Sequence, residues 1–270
     1  MAQTRRPNGG LILWEGPSPL DGSPLVAIVT GIIRPSKNAK TGPMAQIFVL
    51  RQDVAPGAAL RTGADAAVCF DCPLRGWSLC SRTGAQSRQV RRDYVDVTKV
   101  TSVWAAYHGG SYTRVSPRAA GAILVAHGRH VRGCAYGDPF ALPAAVWAEL
   151  LSTTGLRWTG YTHQWRRLSS AIWGRWFTAS VETPEGYEEA VAAGWRTFRI
   201  IPVPAPGAAV PYLPGEQACP AAPEGGARTT CHVCRACRGT SCGARNIGIL
   251  DHGPASRTRL QAWLAARCCD

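Results

Sequence analysis

Four cysteines crowd the stretch TTCHVCRACRGTSC, at Cys231, Cys234, Cys237 and Cys242, in the spacing C-x2-C-x2-C-x4-C. Thiolates this close together suit a metal ion or a cluster. A zinc site ordinarily pairs two C-x2-C knuckles well separated in the chain, each handing two thiolates to one tetrahedral ion. Here the knuckles overlap. That is closer to the ferredoxin-type run, whose successive thiolates wrap the corners of a [4Fe–4S] cube and which a Cys-Pro commonly accompanies. The Cys-Pro of this chain stands upstream, at Cys219-Pro220, so Cys219 competes with Cys242 as fourth ligand. Three of these cysteines with His232 or His252 would equally complete a zinc site. The expectation is a cysteine-ligated centre drawn from Cys219, Cys231, Cys234, Cys237, Cys242 and His252, with iron–sulfur ahead of zinc.

A second set, Cys69, Cys72 and Cys80, has the spacing C-x2-C-x7-C in VCFDCPLRGWSLC. Three thiolates need a fourth ligand, for which Cys134 is a candidate, and the two sets could share one centre. The plain alternative is a group of thiols that bind nothing. Polar residues at the ends of predicted strands form a third set: Asp138, Tyr161, His163, Glu182, Asp251 and His252. In parallel β-α architectures the carboxyl ends of strands form the active face, so such residues converge on a pocket. Asp138, His163, Glu182 and Asp251 are the catalytic candidates, as acid, base, nucleophile or proton shuttle. Arg132 and Tyr161 are candidates for holding a cofactor. Against this, Asp138 precedes Pro139 and could simply cap a helix, and Glu182 stands beside a cap of its own. In RWTGYTHQWRRLSSAIWGRW, tryptophans interleave with arginines, which suits phosphate contact and base stacking but also core packing. No phosphate-binding glycine loop and no serine nucleophile elbow is present, which disfavours nucleotide triphosphate hydrolysis and serine hydrolysis.

The elements that must position these residues change character along the chain. LVAIVTGII and AQIFVL read as strands bounded by turn residues, with a basic loop, RPSKNAKTGP, between them. From about Gly121 strands and helices alternate. AILVAHG and VRGCAYGD are predicted strands, and PFALPAAVWAELLSTTG is a helix with Pro143 near its start. LRWTGYTHQW and WFTASVE are strands again. TPEGYEEAVAAG is a helix capped by Thr183 and stopped by Gly194, and WRTFRIIPV and NIGILDHG are further strands. ASRTRLQAWLAARCCD reads as a terminal helix. This rhythm predicts an α/β fold with a parallel β-α core, barrel-like (TIM-like) rather than open, and a Cys-rich metal-binding C-terminal segment. The division expected is a β-rich part, 1–120, carrying Cys69, Cys72 and Cys80, and β-α repeats, 121–270, within one compact domain.

Thirty Lys and Arg stand against 17 Asp and Glu in 270 residues, a formal charge of +13, and the excess is mostly arginine. Such a balance favours polyanionic partners, DNA ahead of RNA, although an arginine-rich coding bias would also produce it. No run of about 18 apolar residues occurs and the N-terminus lacks an apolar signal core. The expectation is therefore a cytosolic protein, in the host cytosol if phage-encoded, with no membrane partner. Eleven cysteines in a reducing compartment argue for ligation over a disulfide framework.

The segments ACPAAPEGGARTTCHVCRACRG and NIGILDHG, with YGDPF and WTGYTHQW, resemble the "gene product 88" domain family of phages and bacteria. The opening, from LILWEGPSPLDGSPLVAIVTG to RTGADAAVCFDCPLR, is similar to a related phage and actinobacterial group. These resemblances cover most of the chain and imply a phage- or mobile-element-type protein, without implying an activity. A weaker similarity, in the β-α rhythm, late cysteines, His252 and basic charge, is to the tRNA-guanine transglycosylase group and its DNA-modifying relatives. That similarity implies a barrel, a C-terminal zinc site and base exchange through an Asp nucleophile. The zinc spacing of that group is C-x-C-x2-C, and no Asp here matches its nucleophile. A radical SAM enzyme is a further barrel possibility, but the usual C-x3-C-x2-C is missing.

Together these readings predict a metalloprotein acting on nucleic acid, most simply a transferase that modifies a base or nucleotide. The alternatives are a non-catalytic DNA- or RNA-binding protein with a structural metal, and a radical SAM-like iron–sulfur enzyme.

Overall fold

The computed structural model describes residues 9–80, 83–89, 91–93 and 95–251. In chain order the strands are β1 (Leu11–Pro17), β2 (Pro24–Thr30), β3 (Ala45–Arg51), β4 (Trp77–Leu79), β5 (Gln86–Arg88), β6 (Thr113–Arg114), β7 (Val131–Tyr136), β8 (Trp158–Thr162), β9 (Thr178–Val181), β10 (Thr197–Ile201), β11 (Glu216–Ala218) and β12 (Asn246–Leu250). The α-helices are α1 (Pro56–Thr62), α2 (Ala66–Cys69), α3 (Val97–His108), α4 (Pro117–Ala126), α5 (Ala144–Leu151), α6 (Pro184–Ala192) and α7 (Cys231–Cys234). The chain divides into two compact units, Met1–Phe70 with Val95–Thr159, and Asp71–Tyr94 with Gly160–Asp270.

The first unit is built on a mixed sheet in the order β7-β3-β2-β1-β6, with β2 antiparallel to both β1 and β3, β6 parallel to β1 and β7 parallel to β3. Leu25 to Val29 in β2 are wholly buried, as a strand covered on both faces requires, and their apolar run carries that signal in sequence. At Cys134 β7 departs from regular pairing: its register against β3 shifts and Cys134 takes φ of 58°, a conformation that costs a residue with a side chain. AILVAHG is not a strand. It lies at the end of α4, whose start is set by Ser116, its Oγ accepting from the Ala119 backbone N at 3.2 Å, and by Pro117 in the first turn. The buried positions Ala120, Gly121 and Leu124 form one stripe. A Cβ on Gly121 would meet Thr153 Oγ1 at 2.1 Å, so glycine is what lets α4 lie close to α5.

The second unit holds a wholly parallel sheet in the order β11-β12-β10-β9-β8 and a small β4–β5 hairpin. β9 and β10 are buried along their whole length, and α6 packs against both. Within β10 the buried Arg199 makes a paired contact to Glu216 of β11, Nε to Oε1 at 2.7 Å and Nη2 to Oε2 at 2.6 Å. Neighbouring Phe198 and Ile200 turn to an apolar cluster with Leu74, Cys219, Ala221, Ala222, Ala236, Ile247 and Ile249. The architecture is α/β with mostly parallel pairing, and among the described residues that pairing does not close into a barrel. No helix among the described residues is long and apolar enough to cross a membrane. The terminal helix expected in ASRTRLQAWLAARCCD lies outside the described residues.

Candidate active site

His163 and Glu182 follow the last residues of β8 and β9, two neighbouring parallel strands, so they leave the sheet at the same edge. Glu182 stands next to the start of α6, where a carboxylate would normally serve as the cap. Thr183 does that work, its Oγ1 accepting from the Gly186 backbone N at 3.1 Å, and Glu182 stays available. Its Oε1 lies 3.0 Å from His163 Nε2, with both side chains almost wholly buried. The other ring nitrogen, Nδ1, lies 3.4 Å from Cys72 Sγ. Cys72 comes from the turn that opens the second unit, 91 residues earlier in the chain.

This row of thiol, imidazole and carboxylate sets the charge on the ring. Burial alone would lower the His163 pKa. The charges of Cys72 and Glu182, and hydrogen bonding to both, outweigh burial and hold it well above its ordinary value. Beside the row lies a cavity of about 110 Å³, lined by His163 and Glu182, by Asp71 and Pro73 on either side of Cys72, and by Gln164 and Ser180 among others. That is small against the pockets that enclose whole drug-sized ligands, and suits one polar edge of a substrate rather than all of it. Gln164 is fixed by its Nε2, which donates to Asp71 Oδ1 at 2.6 Å. Asp71 also accepts from Arg167 Nη2 at 2.9 Å. Burial pushes the Asp71 carboxyl up, but the bonds from Gln164 and Arg167 more than offset this and hold it below the usual carboxylate range.

Two polar atoms here have no partner among the described residues: Gln164 Oε1 and Ser180 Oγ, on side chains 1% and 2% exposed. A buried acceptor or hydroxyl left so costs on the order of 1–3 kcal/mol.

The remaining candidates fall elsewhere. Asp251 follows β12 and is committed to a buried ion pair, Arg92 Nη2 to Asp251 Oδ2 at 3.2 Å. Tyr161 is on β8 with its ring stacked on Phe198, centroids 4.7 Å apart. Cys80 is exposed, just beyond β4. Asp138, Arg132, Cys134 and Cys69 belong to the first unit. Asp138 Oδ1 caps the 3-10 turn Pro139–Ala141, accepting from the Phe140 backbone N at 3.0 Å. Arg132 and Cys134 are on β7, and Cys69 ends α2. Burial, then the charge of Asp138, push the Cys134 thiol well above its ordinary value. Cys219 follows β11, Cys231 and Cys234 are in α7, and Cys237 and Cys242 lie beyond it. His252 lies outside the described residues. No group of three or more His, Cys, Asp or Glu among the described residues is drawn together tightly enough to hold a single metal ion.

The tryptophan and arginine stretch does not present a stacking platform as a whole. Trp165 and Trp173 are core residues, Trp165 Nε1 donates to the Ser180 carbonyl, and Arg166 lies over the Trp165 ring while gripping Glu189. Cys72 as the partner of His163, and Gln164 and Ser180 as cavity groups, were not foreseen. The signal was Asp71-Cys72-Pro73 in a turn and a histidine at a strand end, and only the fold joins them. Compared with protein-family models, with curated proteins and with solved structures, the chain gives no match.

Proposed function

We propose that the protein is a group-transfer enzyme with a thiol nucleophile, Cys72, acting on a nucleobase or nucleotide. The reading rests on one observation: Cys72 Sγ, His163 and Glu182 stand in hydrogen-bonded sequence, and His163 and Glu182 line a cavity together with Gln164 and Ser180. In this mechanism Cys72 Sγ bonds to an electrophilic carbon of the substrate while its proton resides on His163 Nδ1. Glu182 orients the imidazolium and balances its charge. The same imidazolium then gives its proton to the leaving group; when the incoming acceptor bonds to the carbon, His163 takes the acceptor's proton, the S–C bond breaks and the thiolate and imidazolium are restored. Gln164 and Ser180 make the cavity wall beside this row polar. The excess of Lys and Arg across the chain supports an anionic substrate. The resemblance to phage and mobile-element proteins agrees with nucleic-acid modification but assigns no reaction.

The test is site-resolved alkylation by iodoacetamide, read by mass spectrometry on the full chain, with and without nucleoside monophosphates or a single-stranded DNA oligonucleotide. Cys72 is expected to react about tenfold or more faster than exposed Cys80, to slow in His163→Asn, and to be protected by one of the nucleotides. Equal reactivity of Cys72 and Cys80 sinks the nucleophile. DNA binding without protection of Cys72 favours instead a non-catalytic binding protein.

A further inference from the structure

A second group of thiols in the same unit takes no part in that chemistry. Cys219, 6% exposed, is a member of the apolar cluster formed with Phe198, Ile200, Ile247 and Ile249, and Cys231, Cys234 and Cys237 pack against the same cluster. Three local devices bring them there. A single helical turn, α7, sets Cys231 and Cys234 three residues apart, near one side of the helix. Arg235 then takes the left-handed conformation, φ 54°, its N–H donating to the Cys231 carbonyl at 3.1 Å, which reverses the chain and returns Cys237 toward the pair. Cys237 is tied to β8 by its carbonyl, which accepts from the Gly160 N–H at 2.8 Å, and Cys219 to β12 by its N–H, donated to the Gly248 carbonyl at 2.9 Å.

The loop beyond is secured independently of any ligand. Arg196 Nη1 donates to the carbonyls of Ala236 at 2.8 Å and Gly239 at 2.7 Å, and its Nη2 to that of Arg245. A Cβ on Gly239 would lie 2.2 Å from the Gly174 carbonyl oxygen, so this approach admits glycine alone. Cys242 is drawn out of the group by the same arginine: its Sγ accepts from Arg196 Nη1 at 3.0 Å and faces the Ala236 carbonyl at 3.3 Å. Four thiolates could share this apolar site only if a cation compensated them.

We infer that Cys219, Cys231, Cys234 and Cys237 together hold a [4Fe–4S] cluster. Donor type, number and setting fit it: four soft sulfurs, three of them in the C-x2-C-x2-C run and the fourth in the Cys-Pro, on an apolar wall with a nearby guanidinium. The inference goes beyond the proposed function and stands apart from the chemistry of Cys72.

The test is anaerobic reconstitution of the full-length chain with ferrous iron and sulfide, followed by metal and sulfide analysis and visible spectroscopy. A brown protein with about four irons and four sulfides per chain is expected. Cys219→Ser, Cys231→Ser, Cys234→Ser and Cys237→Ser should each lose the colour and most of the iron. Cys242→Ser, Cys80→Ser and Cys72→Ser should keep both, and circular dichroism checks that every variant is folded. A colourless protein that instead binds one zinc per chain overturns the inference, as does a folded wild type that takes up no iron. Loss of the cluster in Cys72→Ser overturns this ligand set and the nucleophile together. Selective alkylation of Cys72 in a protein that takes up no iron overturns the cluster alone.

Discussion

The two units spend their strand-end acids differently. In the first, Asp138 follows β7 and turns back on its own chain to cap the next turn through the Phe140 N–H. In the second, Glu182 follows β9 and is spared that work because Thr183 caps α6, so it holds a histidine from the neighbouring strand. Asp251, after β12, is a third case, spent on a buried arginine. An acid at the carboxyl end of a strand is thus only an opportunity. What the adjoining residue does with the backbone N–H groups decides whether a carboxylate is left for chemistry.

Substitutions separate these fates, and the largest effect belongs to Asp251. Asp251→Ala leaves the guanidinium of Arg92 buried beside a vanished partner and should cost about 3–5 kcal/mol in urea unfolding. A loss below about 1 kcal/mol would mean that this pair anchors nothing. Glu182→Gln should slow Cys72 alkylation about tenfold with the fold intact, whereas Asp138→Asn leaves that rate unchanged.

The same row predicts a pH dependence. His163 is held above its ordinary pKa of 6.5, so its stabilisation is fully present below that pH and is lost as pH rises through the folded-state value. The stability gap between wild type and His163→Asn should therefore be widest near pH 6 and shrink toward alkaline pH. A gap that widens with pH would contradict a protonated ring between Cys72 and Glu182.

Capping effects come next. Asp138→Ala and Thr183→Ala should each cost about 1 kcal/mol, but only the second should also change Cys72 reactivity, by releasing Glu182 toward the vacated N–H. The smallest effect is expected for Glu189→Ala, about 0.5 kcal/mol or less, because the Arg166–Glu189 pair is half exposed on both sides.

Much of the second unit was legible in the sequence. LRWTGYTHQW, WFTASVE, TPEGYEEAVAAG and WRTFRIIPV become β8, β9, α6 and β10, with Thr183 as cap, since local apolar runs and turn residues agree there. AILVAHG failed because five consecutive apolar residues look like a buried strand when the cap at Ser116-Pro117, six residues earlier, is not joined to them. At the site, His163 and Glu182 were legible as strand-end residues. Their union with Cys72 was not, since contact across 91 residues leaves no local trace. Nor does sequence show that Trp165 and Trp173 are core, because the same indoles beside arginines would serve as stacking surfaces had the chain turned outward.

The Arg196 anchor has a consequence for the order in which the chain assembles. Each carbonyl it grips lies 40 to 49 residues further along, so in N- to C-terminal synthesis the arginine exists before its acceptors do. β8, β9 and β10 also precede the cysteine run, and they can pair while it is still emerging. The thiols of Cys231, Cys234 and Cys237 are therefore gathered onto strands that can already be paired when the cysteine run emerges.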